Sequence, residues 1–223
     1  MSSSFCSARL KRGFTLIEML VVIAILALLI SLVVPVVSNS LKKGRELGCL
    51  SNLRQLGQAL VMYASDHNSQ LPRYQDSNGY WDEKLAKYLG EEATVFVCPM
   101  DPYLSDEDPA LRPPRTYACN GGQRYVSGQY PFGSFDGGDA LYLEELKSRT
   151  QHIILLGERP GSSMTDRGYQ GDGSYSTMDQ IPGSVHRKGR GGNYLYADLR
   201  VEYLTIEEAT LSAEADIWYV PAP

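Results

Sequence analysis

KRGFTLIEMLVVIAILALLISLVVPVV, residues 11–37, decides how the rest of this chain is read. Arg9, Lys11 and Arg12 lead to Gly13 and Phe14, and beyond them the run is apolar apart from Glu18. As a helix rising about 1.5 Å per residue, residues 14–37 are long enough to cross a hydrocarbon core of about 30 Å. The stretch therefore reads as a membrane span. A cleavable secretory signal has a shorter apolar core with a small-residue cut site after it. Here the glycine precedes the core, so a cut after Gly13 keeps the span and makes Phe14 the new N-terminus. Glu18 is the second clue, because a carboxylate inside a bilayer costs on the order of 2.5 to 3.5 kcal/mol even on insertion scales. The span holds no Lys or Arg to pair with it.

Arg12-Gly13-Phe14-Thr15-Leu16-Ile17-Glu18 resembles the processing site of type IV prepilins and of type II secretion pseudopilins. The resemblance implies that prepilin peptidase cuts between Gly13 and Phe14, that Phe14 is then N-methylated, and that Glu18 serves assembly. The physics agrees: the Glu18 carboxylate can pair with the terminal ammonium of a neighbour's Phe14, offsetting the burial of either charge alone. The resemblance also places residues 1–13 as a cytoplasmic leader and makes the chain a single-pass inner-membrane protein with a periplasmic head. Charge counting does not fix that orientation, since Lys42, Lys43 and Arg45 behind the span nearly balance the leader's cations. Pro35 lacks an N–H and is expected to kink the helix near its exit from the bilayer.

Past the membrane the pattern becomes amphipathic over residues 38–68. Cys49, Leu53, Leu56, Leu60 and Ala64 recur at helical spacing, with Arg54, Gln55 and Gln58 on the opposite face. Gly44, Gly48 and Gly57 each weaken such a helix by up to about 1 kcal/mol against Ala, and are either places where neighbouring helices approach or tolerated flaws. Residues 69–223 then change composition, with Gly, Pro, Tyr, Asp and Ser between short apolar runs. Helices are expected at 82–89, capped by Asp82, and at 140–147. Strands are expected at 95–98, 116–119, 153–158, 193–197 and 200–204, the last two as a hairpin around Asp198 and Leu199, with one more helix start at Thr205. The expected fold is α+β: a long N-terminal helix, half spanning and half amphipathic, packed on a small antiparallel head, as in pilins.

A narrower resemblance lies in Cys49-Leu50-Ser51-Asn52-Leu53-Arg54-Gln55-Leu56-Gly57, in Phe96-Val97-Cys98-Pro99-Met100-Asp101, and in His186 followed by residues 193–198. These are similar to prepilin-like proteins of planctomycetes and verrucomicrobia, whose end is marked by a His, nine residues, then Asp-Gly. Here eleven residues separate His186 from Asp198, and Leu199 stands where that family has Gly. Cys6 lies in the leader, so three cysteines remain after processing. In an oxidising compartment the expected disulfide is Cys49 to Cys98, with Cys98 to Cys119 as the rival and three free thiols as the remaining alternative.

Other chemistries find little support. No GxSxG, Walker or HExxH pattern is present, and His67, His152 and His186 show no metal spacing, so neither an enzyme nor a metal site is expected. A site built from His186, Asp198 and Glu158 can be imagined on the sheet. The acidic loops 136–139 and 166–179 raise calcium without matching an EF-hand, and Tyr125, Tyr130, Tyr169 and Tyr175 suggest a contact surface. The net charge of −5 becomes −8 once a leader with three cations and no acid is removed, which argues against nucleic acid as a partner. The expected function is that of a pseudopilin of a type II secretion pseudopilus, with prepilin peptidase, other pilin-like subunits and an inner-membrane assembly platform as partners. The alternatives are a type IV pilus subunit and a membrane-tethered binding module or hydrolase.

Overall fold

An unbroken helix, α1, runs from Leu16 to Asp66 in the computed structural model, which describes residues 15–90, 93–100, 116–120, 131–133, 139–148, 153–158, 186, 191–205 and 207–208. The chain divides into two units, Met1–Lys43 and Gly44–Pro223. Within the first, α1 is long and apolar enough to cross a membrane. Its Leu, Ile, Val and Met side chains from Leu16 to Val37 are between 46% and 82% exposed, so no described residue of the unit covers them. Pro35 lies inside the helix and offers no N–H to the carbonyl of Ser31.

Within the second unit α1 has two faces. Cys49, Leu53, Leu56, Gly57, Ala59, Leu60 and Ala64 are buried, while Arg54, Gln55 and Gln58 are exposed, as the spacing dictates. A Cβ on Gly57 would stand 3.2 Å from Leu195 Cδ1, and one on Gly48 would stand 3.3 Å from Pro99 Cγ, whereas Gly44 faces open space. Two of the three therefore admit the chain's own head.

The small hairpin of β1 (Gln75–Asp76) and β2 (Gly79–Tyr80) leads into α2 (Trp81–Ala86). That helix begins one residue before Asp82. The Tyr80 N–H donates to Glu83 Oε2 at 2.8 Å, so Glu83 supplies the cap assigned from sequence to Asp82, which is buried in the first turn. Trp81 forms the centre of an aromatic cluster, edge-on to Phe96 and Phe132 with centroids 6.1 and 5.9 Å away.

The strand expected at 95–98 is instead a 3-10 turn, Ala93–Phe96. Its backbone groups are used one at a time: Val97 N–H donates to Thr94 O, Asn52 Nδ2 to Val97 O, Thr116 N–H to Phe96 O, and Cys98 N–H to Thr116 Oγ1. With no continuous strand neighbour among the described residues, Val95, Phe96 and Cys98 are buried without forming a strand. Helix α3 (Leu143–Ser148) starts later than expected because the backbone ahead of it is engaged elsewhere. Leu141 O accepts from Leu71 N–H, Leu141 N–H donates to Pro131 O, Leu143 N–H donates to Ser69 O, and Tyr142 bridges Gln70.

The main sheet is antiparallel in the order β3 (Tyr117–Cys119), β4 (Ile154–Glu158), β5 (Gly191–Tyr196), β6 (Val201–Thr205). All of β4 is buried and it lies in the sheet interior, the place its Ile-Leu run requires. Strand β5 reaches two residues further back than the alternation suggested. A Cβ on Gly191 would stand 2.0 Å from the Leu204 carbonyl oxygen, so only glycine lets the two strands pair there. At Thr205 the expected helix start is present: Thr205 N–H and Oγ1 donate to Glu208 Oε2, and Glu208 N–H donates back to Thr205 Oγ1.

Candidate functional site

Thr15 and Glu18 lock the mouth of α1. Thr15 N–H and Oγ1 both donate to Glu18 Oε2 at 2.8 Å, and Glu18 N–H approaches Thr15 Oγ1 at 3.4 Å. This reciprocal pairing is a capping box, and it holds the carboxylate in the first turn, where the helix dipole favours negative charge. Thr15 was not singled out from the sequence, although Thr-x-x-Glu before an apolar run is its signature. Gly13 and Phe14 lie outside the described residues, as do Cys6, His152, the four loop tyrosines and the acidic loops 136–138 and 166–179.

A second, fully buried cluster lies in the Gly44–Pro223 unit. Cys49 of α1 and Cys98 are joined as a disulfide, with Cα atoms 4.9 Å apart, and Cys119 is a buried free thiol. Burial, reinforced by Asp82, pushes the Cys119 thiol well above its ordinary pKa. His186 Nε2 lies 3.5 Å from Cys98 Sγ and 3.0 Å from Glu158 Oε1. Glu158 is 0% exposed and is held at both oxygens: Asn193 N–H donates to Oε2 at 2.8 Å and Asn193 Nδ2 to Oε1 at 2.9 Å. His186 is fixed in turn by an isolated backbone bridge to Gly191.

The site imagined from His186, Asp198 and Glu158 is therefore assembled only in part. Asp198 is exposed in the β5–β6 turn, where it accepts from Arg200 N–H and pairs with Arg200 Nε at 3.1 Å. Two cysteines take its place. Among the described residues, Cys49, Cys98, Glu158 and His186 present ligand atoms within 4.8 Å of one another, with the two sulfurs joined to each other as the disulfide. No spacing in the sequence announces it, since the four come from a helix, a turn, a strand and an isolated bridge. Asn193, which orients Glu158, was visible only as part of a longer matched stretch.

Comparison with known proteins meets this geometry at the helix mouth. Residues 8–34 match the prokaryotic N-terminal methylation motif, a segment that contains Gly13, Phe14, Thr15 and Glu18. The chain is 37% identical over 101 residues to type II secretion system core protein G of Klebsiella pneumoniae, covering 43% of this chain and 71% of that protein. This chain belongs to the type II secretion core protein G family of pseudopilins. A second pseudopilin relative, core protein G of Escherichia coli (strain K12), is 32% identical over 100 residues, 43% of this chain and 69% of its own. The ComG operon protein 3 homolog of Bacillus licheniformis is 30% identical over 77 residues, 34% of this chain and 79% of its own. No solved structure matches this pseudopilin.

Proposed function

We propose that prepilin peptidase cuts this pseudopilin between Gly13 and Phe14 and methylates Phe14. The mature chain then polymerises with pilin-like subunits, on an inner-membrane assembly platform, into a type II secretion pseudopilus. The role is structural rather than catalytic, with the leader in the cytoplasm and the head in the periplasm. One observation carries the reading: the methylation motif coincides with a capped Glu18 at the start of a helix whose apolar side chains have no cover of their own. Such a surface needs lipid before assembly and the helices of other subunits after it.

The cut also changes the electrostatics of Glu18. It creates an ammonium at Phe14, four residues upstream, on every subunit. A neighbour's ammonium can then meet the carboxylate, so that two charges costly to bury alone enter the filament as a pair.

The test is intact mass and N-terminal sequencing of membrane-extracted protein from cells with and without prepilin peptidase. A chain beginning at N-methylated Phe14, dependent on the peptidase, is expected. An intact Met1 terminus, or cleavage after the apolar core, would overturn the proposal and leave a tethered or secreted head.

A further inference from the structure

We propose that the Cys49–Cys98 disulfide and a zinc-class metal site are two redox states of one buried place. In the reduced state Cys49 Sγ, Cys98 Sγ, His186 Nε2 and Glu158 Oε1 take one divalent cation.

The donor set points to the class of ion. Two thiolates, an imidazole and a carboxylate suit zinc, while calcium and magnesium take oxygen cages. Zinc bonds of about 2.3 Å to sulfur and about 2.0 to 2.2 Å to nitrogen and oxygen set tetrahedral ligand atoms roughly 3.3 to 3.8 Å apart. The four atoms here already lie within 4.8 Å of one another, with nitrogen to oxygen at 3.0 Å and nitrogen to Cys98 sulfur at 3.5 Å.

The surroundings are built for a held ligand. Asn193 donates to both oxygens of Glu158 and fixes the carboxylate as outer-shell partners of metal ligands do. Cys49, Cys98, Glu158 and His186 are all at most 2% exposed, so water does not compete for the ion. In the disulfide state one proton lies between His186 Nε2 and Glu158 Oε1. In the metal state the cation replaces that proton and sits between the same two atoms.

The exchange balances. A dithiol reductant gives an electron pair to the sulfur–sulfur bond and becomes a disulfide itself, and its two protons pass to Cys49 and Cys98. The cation then displaces those two protons and the one on Nε2, releasing them to solvent or, for the ring, to Nδ1. Oxidation reverses the sequence and expels the ion.

Cobalt(II) is the probe, titrated anaerobically into the full chain in detergent, oxidised or reduced with a phosphine. Expected is one cobalt per reduced chain, with tetrahedral ligand-field bands and thiolate-to-cobalt charge transfer, displaced by zinc and absent from the oxidised chain. His186→Ala keeps the disulfide, so its fold is checked in the oxidised state, and after reduction it should bind at least tenfold more weakly. Asn193→Ala should weaken binding by about 10- to 100-fold. Cys119→Ser should leave binding unchanged and excludes the third thiol. A reduced, folded chain that stays cobalt-free would overturn the proposal, as would equal binding by wild type and His186→Ala. A chain that unfolds on reduction and does not regain its circular dichroism with cobalt overturns it as well.

Discussion

Glu18 does two things that a single substitution can separate. Its carboxylate caps α1 through Thr15, and it offers the charge proposed to meet a neighbour's Phe14. Glu18→Gln keeps an oxygen acceptor for Thr15 and loses the charge. Filament yield from sheared cells is expected to collapse for both Glu18→Ala and Glu18→Gln while membrane insertion persists. Wild-type assembly by the Gln variant would reduce Glu18 to a helix cap. Cys119 gives a pH prediction. Burial raises its pKa in the fold, so its contribution to stability is complete below the unfolded value of about 8.5 and is lost as pH rises through the folded one. Tyr194, also raised by burial and next by Glu158, acts in the same direction at higher pH. The melting temperature should therefore hold steady to about pH 8 and fall above it. Cys119→Ala should fall less steeply, and equal slopes would contradict the assignment.

At the level of elements, the contact between α1 and the sheet is set by a glycine and a leucine in unusual places. Leu199 has φ of 69°, the left-handed region that the β5–β6 turn needs and glycine usually fills. Its Cδ2 lies 3.6 Å from where a Cβ on Gly57 would be, beside Leu195. Leu199 thus trades about 1 to 2 kcal/mol of backbone strain for an apolar contact with the helix. Gly57→Leu should lower the head's stability by about 1 to 3 kcal/mol through overpacking. Gly44→Ala, in open space, should raise it by up to about 1 kcal/mol. Chemical denaturation of the two variants decides the matter, and equal effects would mean that the glycines are only helix flaws. The turn at Ala93–Phe96 shows why the strand reading failed there: apolar residues report burial, and only a partner strand turns burial into extended pairing.

For the whole molecule, the disulfide ties residue 49 of α1 to residue 98, closing a loop with a sequence separation of 49. In the entropic account such a closure stabilises by about 4 kcal/mol. Cys98→Ser should lower the denaturation midpoint of the Gly44–Pro223 unit accordingly, while leaving cleavage at Gly13 intact, because the processing segment lies in the other unit. A processing defect in that variant would show that the units depend on each other. The sequence by itself determined the long apolar segment, the methylation motif, the buried stripe Cys49 to Ala64, strand β4 and the β5–β6 hairpin. Each of these is written in local terms: a length of apolar residues, a period, or a motif of adjacent positions. Tertiary structure alone decided that Glu83 rather than Asp82 caps α2, that Gly57 receives Leu195 and Leu199, and that Asp198 stays out of the cluster. It also brought Cys49, Cys98, Glu158 and His186 within 4.8 Å. Their closeness depends on how a helix, a turn, a strand and an isolated bridge pack, and packing distances between remote segments leave no period in the chain.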